Sequence, residues 1–144
     1  MRRAAFLLTL LVLTGCSRHT PPQGRWEGGY DTAEAMVAAR VEIDSKGLVS
    51  IAAPNAEDVG DDENKRAEMR NHLAAGLAQS WDQVEPRLMD FDGRVFRRPN
   101  GIAPQMIWEK DKKQMWIVAY LGRKPAIKFL LHPVDDFSDS PWQD

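Results

Sequence analysis

Between Val37 and Asp44 apolar and polar positions alternate one for one, with Val37, Ala39, Val41 and Ile43 set against Ala38, Arg40, Glu42 and Asp44. Period two predicts a strand with one buried face. Asp44-Ser45-Lys46-Gly47 then supplies turn residues, with a glycine where φ can be positive. Leu48 to Ala53 returns as the partner strand. Upstream, Gly24 to Tyr30 (GRWEGGY) reads as an earlier strand with Trp26 and Tyr30 as inward anchors. Pro54 to Gly60 breaks the regularity.

The period changes after Asp61. Met69, Leu73, Leu77, Trp81 and Val84 recur on one helical face, while Lys65, Arg66, Glu68 and Gln79 supply the wet side. This predicts a helix over 61–83, capped by Asp61 or Asp62, with Glu63 at the positive end of the dipole and Pro86 as the stop. Ala74, Ala75, Gly76 and Ala78 are small enough for close packing against a sheet. The stripe reads as core, and its alternative use is contact with a partner or membrane.

From Arg87 the pattern is a meander. Arg87 to Phe91 and Arg94 to Arg98 flank Asp92-Gly93, a two-residue hairpin signal. The loop Pro99–Pro104 leads to Gln105–Lys110, then a polar turn at Asp111-Lys112-Lys113. Gln114 to Leu121 and Ala126 to His132 are the last strands, with Ile127, Phe129 and Leu131 on one side. Asp135 to Asp144 is acidic and reads as a mobile tail. The expected fold is α+β: an antiparallel meander sheet or partly closed barrel of about seven strands, with one mid-chain helix packed against it.

The N-terminus changes the picture. Arg2 and Arg3 precede an uncharged stretch from Ala4 to Leu13, shorter than the roughly 20 apolar residues a spanning helix needs. The four residues that follow on, Leu13-Thr14-Gly15-Cys16, resemble the lipobox of bacterial lipoproteins. The resemblance implies that residues 1–15 are a signal peptide. It further implies that Cys16 takes a thioether-linked diacylglycerol, becomes the first mature residue and is acylated on its amine. Two or more chains hold a protein on a bilayer where one does not. In lipoproteins of double-membraned bacteria an aspartate after the cysteine retains the protein in the inner membrane. Ser17 therefore implies transfer to the outer membrane, facing the periplasm. Residues 16–24 read as a lipidated tether, in which the eight residues Ser17 to Gly24, at about 3.1 Å each, reach roughly 25 Å. The domain proper is expected over 25–134, with 135–144 as the tail.

Losing the signal takes two arginines, so Lys+Arg falls from 19 to 17 against 21 Asp+Glu, and the net charge moves from −2 to −4. A mildly acidic domain in that compartment is a poor nucleic-acid binder. Cys16 is the lone cysteine, so no disulfide can form within the chain and burial must supply the stability.

Gly24-Arg25-Trp26 resembles the G-x-W motif on the first strand of lipocalins and related exported domains. The later T-D-Y motif is not found and the helix lies mid-chain, so the resemblance implies a related small barrel. Candidate chemistry is sparse. His19, His72 and His132 are scattered, the acidic run Glu57–Glu63 lacks the register of a calcium loop, and no nucleophile elbow or catalytic cysteine is present. No cofactor, metal or enzymatic activity is expected. Meander order would bring Arg87, Arg97, Arg98, Arg123 and Lys124 to one end, near Pro99–Pro104. These are candidate anion-binding residues for an anionic lipid or an acidic envelope protein, and equally ordinary solvated turn residues. The expected function is a non-enzymatic binding or accessory role for a membrane-held lipoprotein. The alternatives are a carrier of a small apolar ligand, which needs an apolar cavity open at one mouth, and an inhibitor or accessory subunit of an exported enzyme.

Overall fold

The structure is a computed structural model and describes residues 19–100, 105–122 and 125–142. The expected signal peptide and Cys16 lie outside the described residues, as do Arg123 and Lys124.

The alternating stretch forms most of β2 (Ala35–Ile43). It pairs on one side with β1 (Gly24–Asp31) and on the other with β3 (Val49–Ala52) and β4 (Asn55–Glu57). Helix α1 (Glu63–Trp81) follows. The rest is a meander of β5 (Asp90–Phe91), β6 (Val95–Arg97), β7 (Gln105–Glu109), β8 (Gln114–Ala119) and β9 (Ile127–Val134). β9 pairs with β1, so the first and last strands are neighbours. The two outer ends of the ladder meet at Val49 and Arg87, which exchange both backbone hydrogen bonds at 2.8 and 2.9 Å. The result is α+β, an antiparallel sheet curled into a partly closed barrel with one packed helix.

Nine strands are described where about seven were expected. β4 falls in Pro54 to Gly60, which the sequence reading left irregular. Proline lacks only the donor, and the Pro54 carbonyl still accepts from the Ala38 N–H at 3.0 Å, so pairing continues past it.

The interior is filled by side chains. Val37, Val41, Ile43, Phe96, Met106, Met115, Ile117 and Leu131 are all fully buried there, with Trp26 and Phe129 beside them. β2 departs from its predicted single buried face. Its outward residues are covered too: Met36 and Ala38 by Leu73 and Leu77 of α1, and Arg40 by the C-terminal segment. Asp62 caps the helix by accepting from the Lys65 N–H at 3.0 Å. The Asp31 carboxylate at the end of β1 takes Arg66 and Arg70 together and fastens α1 to the sheet. Ala75 and Ala78 face solvent, so the small residues of the helix do not make the close contact. Leucines of the helix instead sit on the small residues Ala38, Ala52 and Ala56 of the sheet.

The hairpin after β5 is shifted by one residue from the expected turn. Phe91 pairs with Phe96, and the Asp92 N–H donates to the Val95 carbonyl at 3.3 Å, leaving Gly93 and Arg94 as the central residues. Gly93, at φ +99, takes the first central place, where positive φ is needed. Asp92 instead receives the backbone N–H groups of Val95 and Arg94, at 2.7 and 2.9 Å. Those two bonds, with Arg97 nearby, hold its carboxyl down at about 2, against an ordinary 3.8. A carboxyl lowered in the folded state adds stability that is present above the ordinary value and lost as pH falls through the lowered one. The protein is therefore expected to lose stability as pH drops from about 4 to about 2. Asp92→Asn, which keeps an acceptor but does not titrate, should flatten that limb in acid denaturation followed by circular dichroism. Identical limbs in both proteins would contradict it.

The acidic C-terminal segment, expected to be a mobile tail, is packed along Asp135–Trp142. The Ser138 N–H donates to both oxygens of buried Glu27, at 3.0 and 3.2 Å, and Arg40 donates to the Ser138 carbonyl at 2.9 Å. Phe137 meets the guanidinium of Arg40 4.9 Å from its ring centre and Trp81 edge-to-face at the same distance. Trp142 joins the apolar cluster of Met36, Ala38, Leu73 and Leu77. A Cβ on Gly29 would overlap its indole ring. Composition marked this segment as solvated, but its two aromatics and one polar peptide are matched to the outer face of β1 and β2.

Candidate functional site

Strand directions sort the loops into two ends. One end, the mouth, carries the start of β1, the turns around Ser45, Gly93 and Asp111, and the end of β9. The other, far end carries the β6–β7 and β8–β9 connections.

A cleft of about 840 Å³ opens at the mouth. Trp26 of β1, Trp108 of β7 and Phe91 of β5 line it. The two indoles meet edge-to-face with centres 5.7 Å apart, and Phe91 stacks on Phe96 at 4.2 Å. Lys110 and Lys113, from the turn after β7, also line the cleft and have no ion pair among the described residues, and Asp135 stands opposite as an acid. Arg25 is committed elsewhere. It binds Glu42 and Asp136, and the hydrogen bond to Glu42, then that carboxylate's charge, holds its guanidinium above the ordinary value. Trp26 is buried with its indole N–H unpartnered among the described residues. An acceptor brought by a ligand or water would relieve that cost.

Residues 19–23 lie across this opening. A Cβ on Gly93 would come within 2.8 Å of His19 Nδ1, and one on Gly47 within 3.4 Å of Pro21. The segment expected to hang as a free tether is therefore laid against the barrel from His19 onward, with Pro22 lining the cleft.

The sequence-derived cation cluster is only partly assembled. Arg87 and Arg98 line one lateral opening of about 370 Å³, beside Val49, Met89 and Glu85. Arg97, the last residue of β6, pairs with Asp92 at 3.2 Å. Arg123 and Lys124 lie outside the described residues, and so does Cys16. His72 and His132 are exposed. Among the described residues no group of three His, Cys, Asp or Glu side chains is placed to hold a metal ion. No described helix is long and apolar enough to cross a membrane.

The sequence reading missed Trp108, Lys110 and Lys113. A tryptophan at the end of a short strand, followed by a lysine-rich turn, was the available signal. It becomes informative only once the register sets that turn beside Trp26 and the incoming chain. No protein-family model, curated protein or solved structure matches this chain.

Proposed function

We propose that this protein is a lipid-anchored lipoprotein of the bacterial envelope, held at the periplasmic face of the outer membrane through Cys16, with a non-enzymatic binding role. The observation that carries the binding role is the cleft at the barrel mouth, where Trp26, Trp108 and Phe91 offer apolar contact and Lys110 and Lys113 offer charge. This combination suits a molecule with an apolar part and an acidic group. A carrier that encloses its ligand has less support, because fully buried side chains fill the barrel interior.

A second reading is an accessory contact with an exported enzyme through the side of the barrel between β3 and β5. It is favoured by Arg87 and Arg98, which share one lateral opening and have no ion pair among the described residues.

The anchor is tested in cells. Full-length protein should incorporate labelled palmitate and fractionate with the outer membrane. Cys16→Ala should remain an unprocessed, unlabelled precursor. Normal maturation and labelling of Cys16→Ala would remove the lipoprotein reading.

A further inference from the structure

We infer that the mouth end is the surface this domain lays against the bilayer that holds its acyl chains, with Lys46, Arg94, Lys110 and Lys113 meeting anionic headgroups. The inference rests on the anchor at Cys16 and adds which way the barrel stands.

Chain length limits how the barrel can stand. As a free tether, Ser17 to Gly24 would let the domain turn any face to the membrane. The chain is instead held from His19, whose ring lies over Gly93, while Pro21 sits against the Gly47 turn. Three residue steps separate Cys16 from His19, and extended chain covers at most about 3.6 Å per step, or about 11 Å. The acyl chains must sit in hydrocarbon, so this stretch has to cross the headgroup layer, about 5–7 Å deep on each side. Only a few ångströms then remain between the headgroups and the mouth.

The far end cannot take the same place. β1 has eight residues, and at about 3.3 Å each with the usual barrel tilt the far loops stand roughly 20 Å higher. That exceeds the screening length of about 8 Å at physiological salt. Tipping the barrel over is opposed by residues 19–23, which cross the mouth and shorten the leash. Arg98, which follows β6 toward that end, is thus left for a partner other than the anchoring membrane.

Charge at the mouth agrees with this placement. Several of its carboxylates have a cation beside them: Arg25 is shared by Glu42 and Asp136, Arg97 pairs with Asp92, and Lys112 lies 3.8 Å from Glu109. Asp44 receives the backbone N–H groups of Lys46 and Leu48. Lys46, Arg94, Lys110 and Lys113 have no ion pair among the described residues and are all exposed, and Asp44, Asp111 and Asp135 are the acids without a cation partner among those residues. Cations beside a bilayer surface are drawn to anionic lipids over about one screening length. The named cations and acids of the mouth balance, seven against seven, so the excess acid of the chain lies elsewhere and these four side chains meet headgroups without a net repulsion.

The test uses full-length, lipidated protein in vesicles of zwitterionic and anionic phospholipid carrying a headgroup nitroxide. The Cys16 sulfur is consumed by the thioether, so one cysteine introduced elsewhere can be labelled uniquely with a fluorophore. Ser45→Cys reports the mouth and Tyr120→Cys, at an exposed site, the far end. Intact mass first establishes acylation. Ser45→Cys should be quenched several-fold more than Tyr120→Cys. Replacing Lys46, Arg94, Lys110 and Lys113 together by glutamine should remove the rise in Ser45→Cys quenching with anionic lipid content. Equal or reversed quenching in acylated protein overturns the orientation. An unchanged anionic-lipid dependence in the four-fold variant overturns the role of the four cations. An unacylated mass would defeat the anchor itself, a failure distinct from either.

Discussion

Ending the chain after Asp136 is expected to lower the stability of the domain by about 3–5 kcal/mol, although it removes only eight acidic-looking residues. Phe137 and Trp142 are each partly buried, and a fully buried side chain of this size contributes about 1.5–3 kcal/mol. Their joint loss amounts to a few kcal/mol at partial burial. The larger consequence is polar. Glu27 and Arg40 are both buried, at 7 and 8 % exposure, and both spend hydrogen bonds on the Ser138 peptide. The segment that covers them leaves with that peptide, so water replaces it and the loss is the net value of a hydrogen bond to a charged group, about 1.5–3 kcal/mol. Urea denaturation of the full-length and shortened proteins measures the difference. A change below about half a kcal/mol would mean that the segment is a free tail and that its packing contributes nothing.

Leu77→Ala carries the second large effect, about 2–5 kcal/mol of lost stability. Leu77 is fully buried between α1 and the outward face of β2, against Met36 and Ala38. Its partners are small or already packed, so the cavity left behind has little means to collapse, and the upper half of the range is expected. The same denaturation measurement checks it. A loss under about half a kcal/mol would mean that this face of the helix is not core, and the alternative of an exposed partner-binding stripe would then gain.

Where local chemistry decided the outcome, the sequence was legible. The alternation of Val37–Ile43, the 3.6-residue recurrence of Leu73 and Leu77, and the capping carboxylate of Asp62 each express a rule that acts within a few residues. The misreadings share the opposite character. Pro54 looked like a break, yet β4 pairs with a strand some twenty residues earlier. Asp135–Trp142 looked solvated because its composition is acidic, while the groups that hold it, Glu27 and Arg40, lie about a hundred residues upstream. Gly93 was placed one position late in its turn because Asp-Gly suits two turn registers, and the Phe91–Phe96 pairing chooses between them. The mouth cleft was invisible for the same reason. It joins the first strand, the hairpin at Gly93 and the turn after β7, and no local pattern announces that they meet.

The pairing of β1 with β9 bears on when the fold can form. Arg25 faces Val134 and Glu27 faces His132, so this ladder joins residues more than a hundred positions apart. Its closeness is enforced at Gly28, where a Cβ would come within 2.5 Å of the Leu130 carbonyl. Closing so long a loop costs entropy before any contact repays it, which makes this a slow, late step. A chain that emerges N-terminus first from the ribosome could make the β1–β2–β3 ribbon early, with both flanks of the ribbon unpaired. The barrel itself must wait for β9, and its clasp for Phe137 and Trp142 behind it. Until those last residues arrive, β1 is an open edge able to recruit a strand from another molecule. The interval between the first strand and the last is therefore when this protein is most exposed to aggregation, and when a chaperone would find the most to hold.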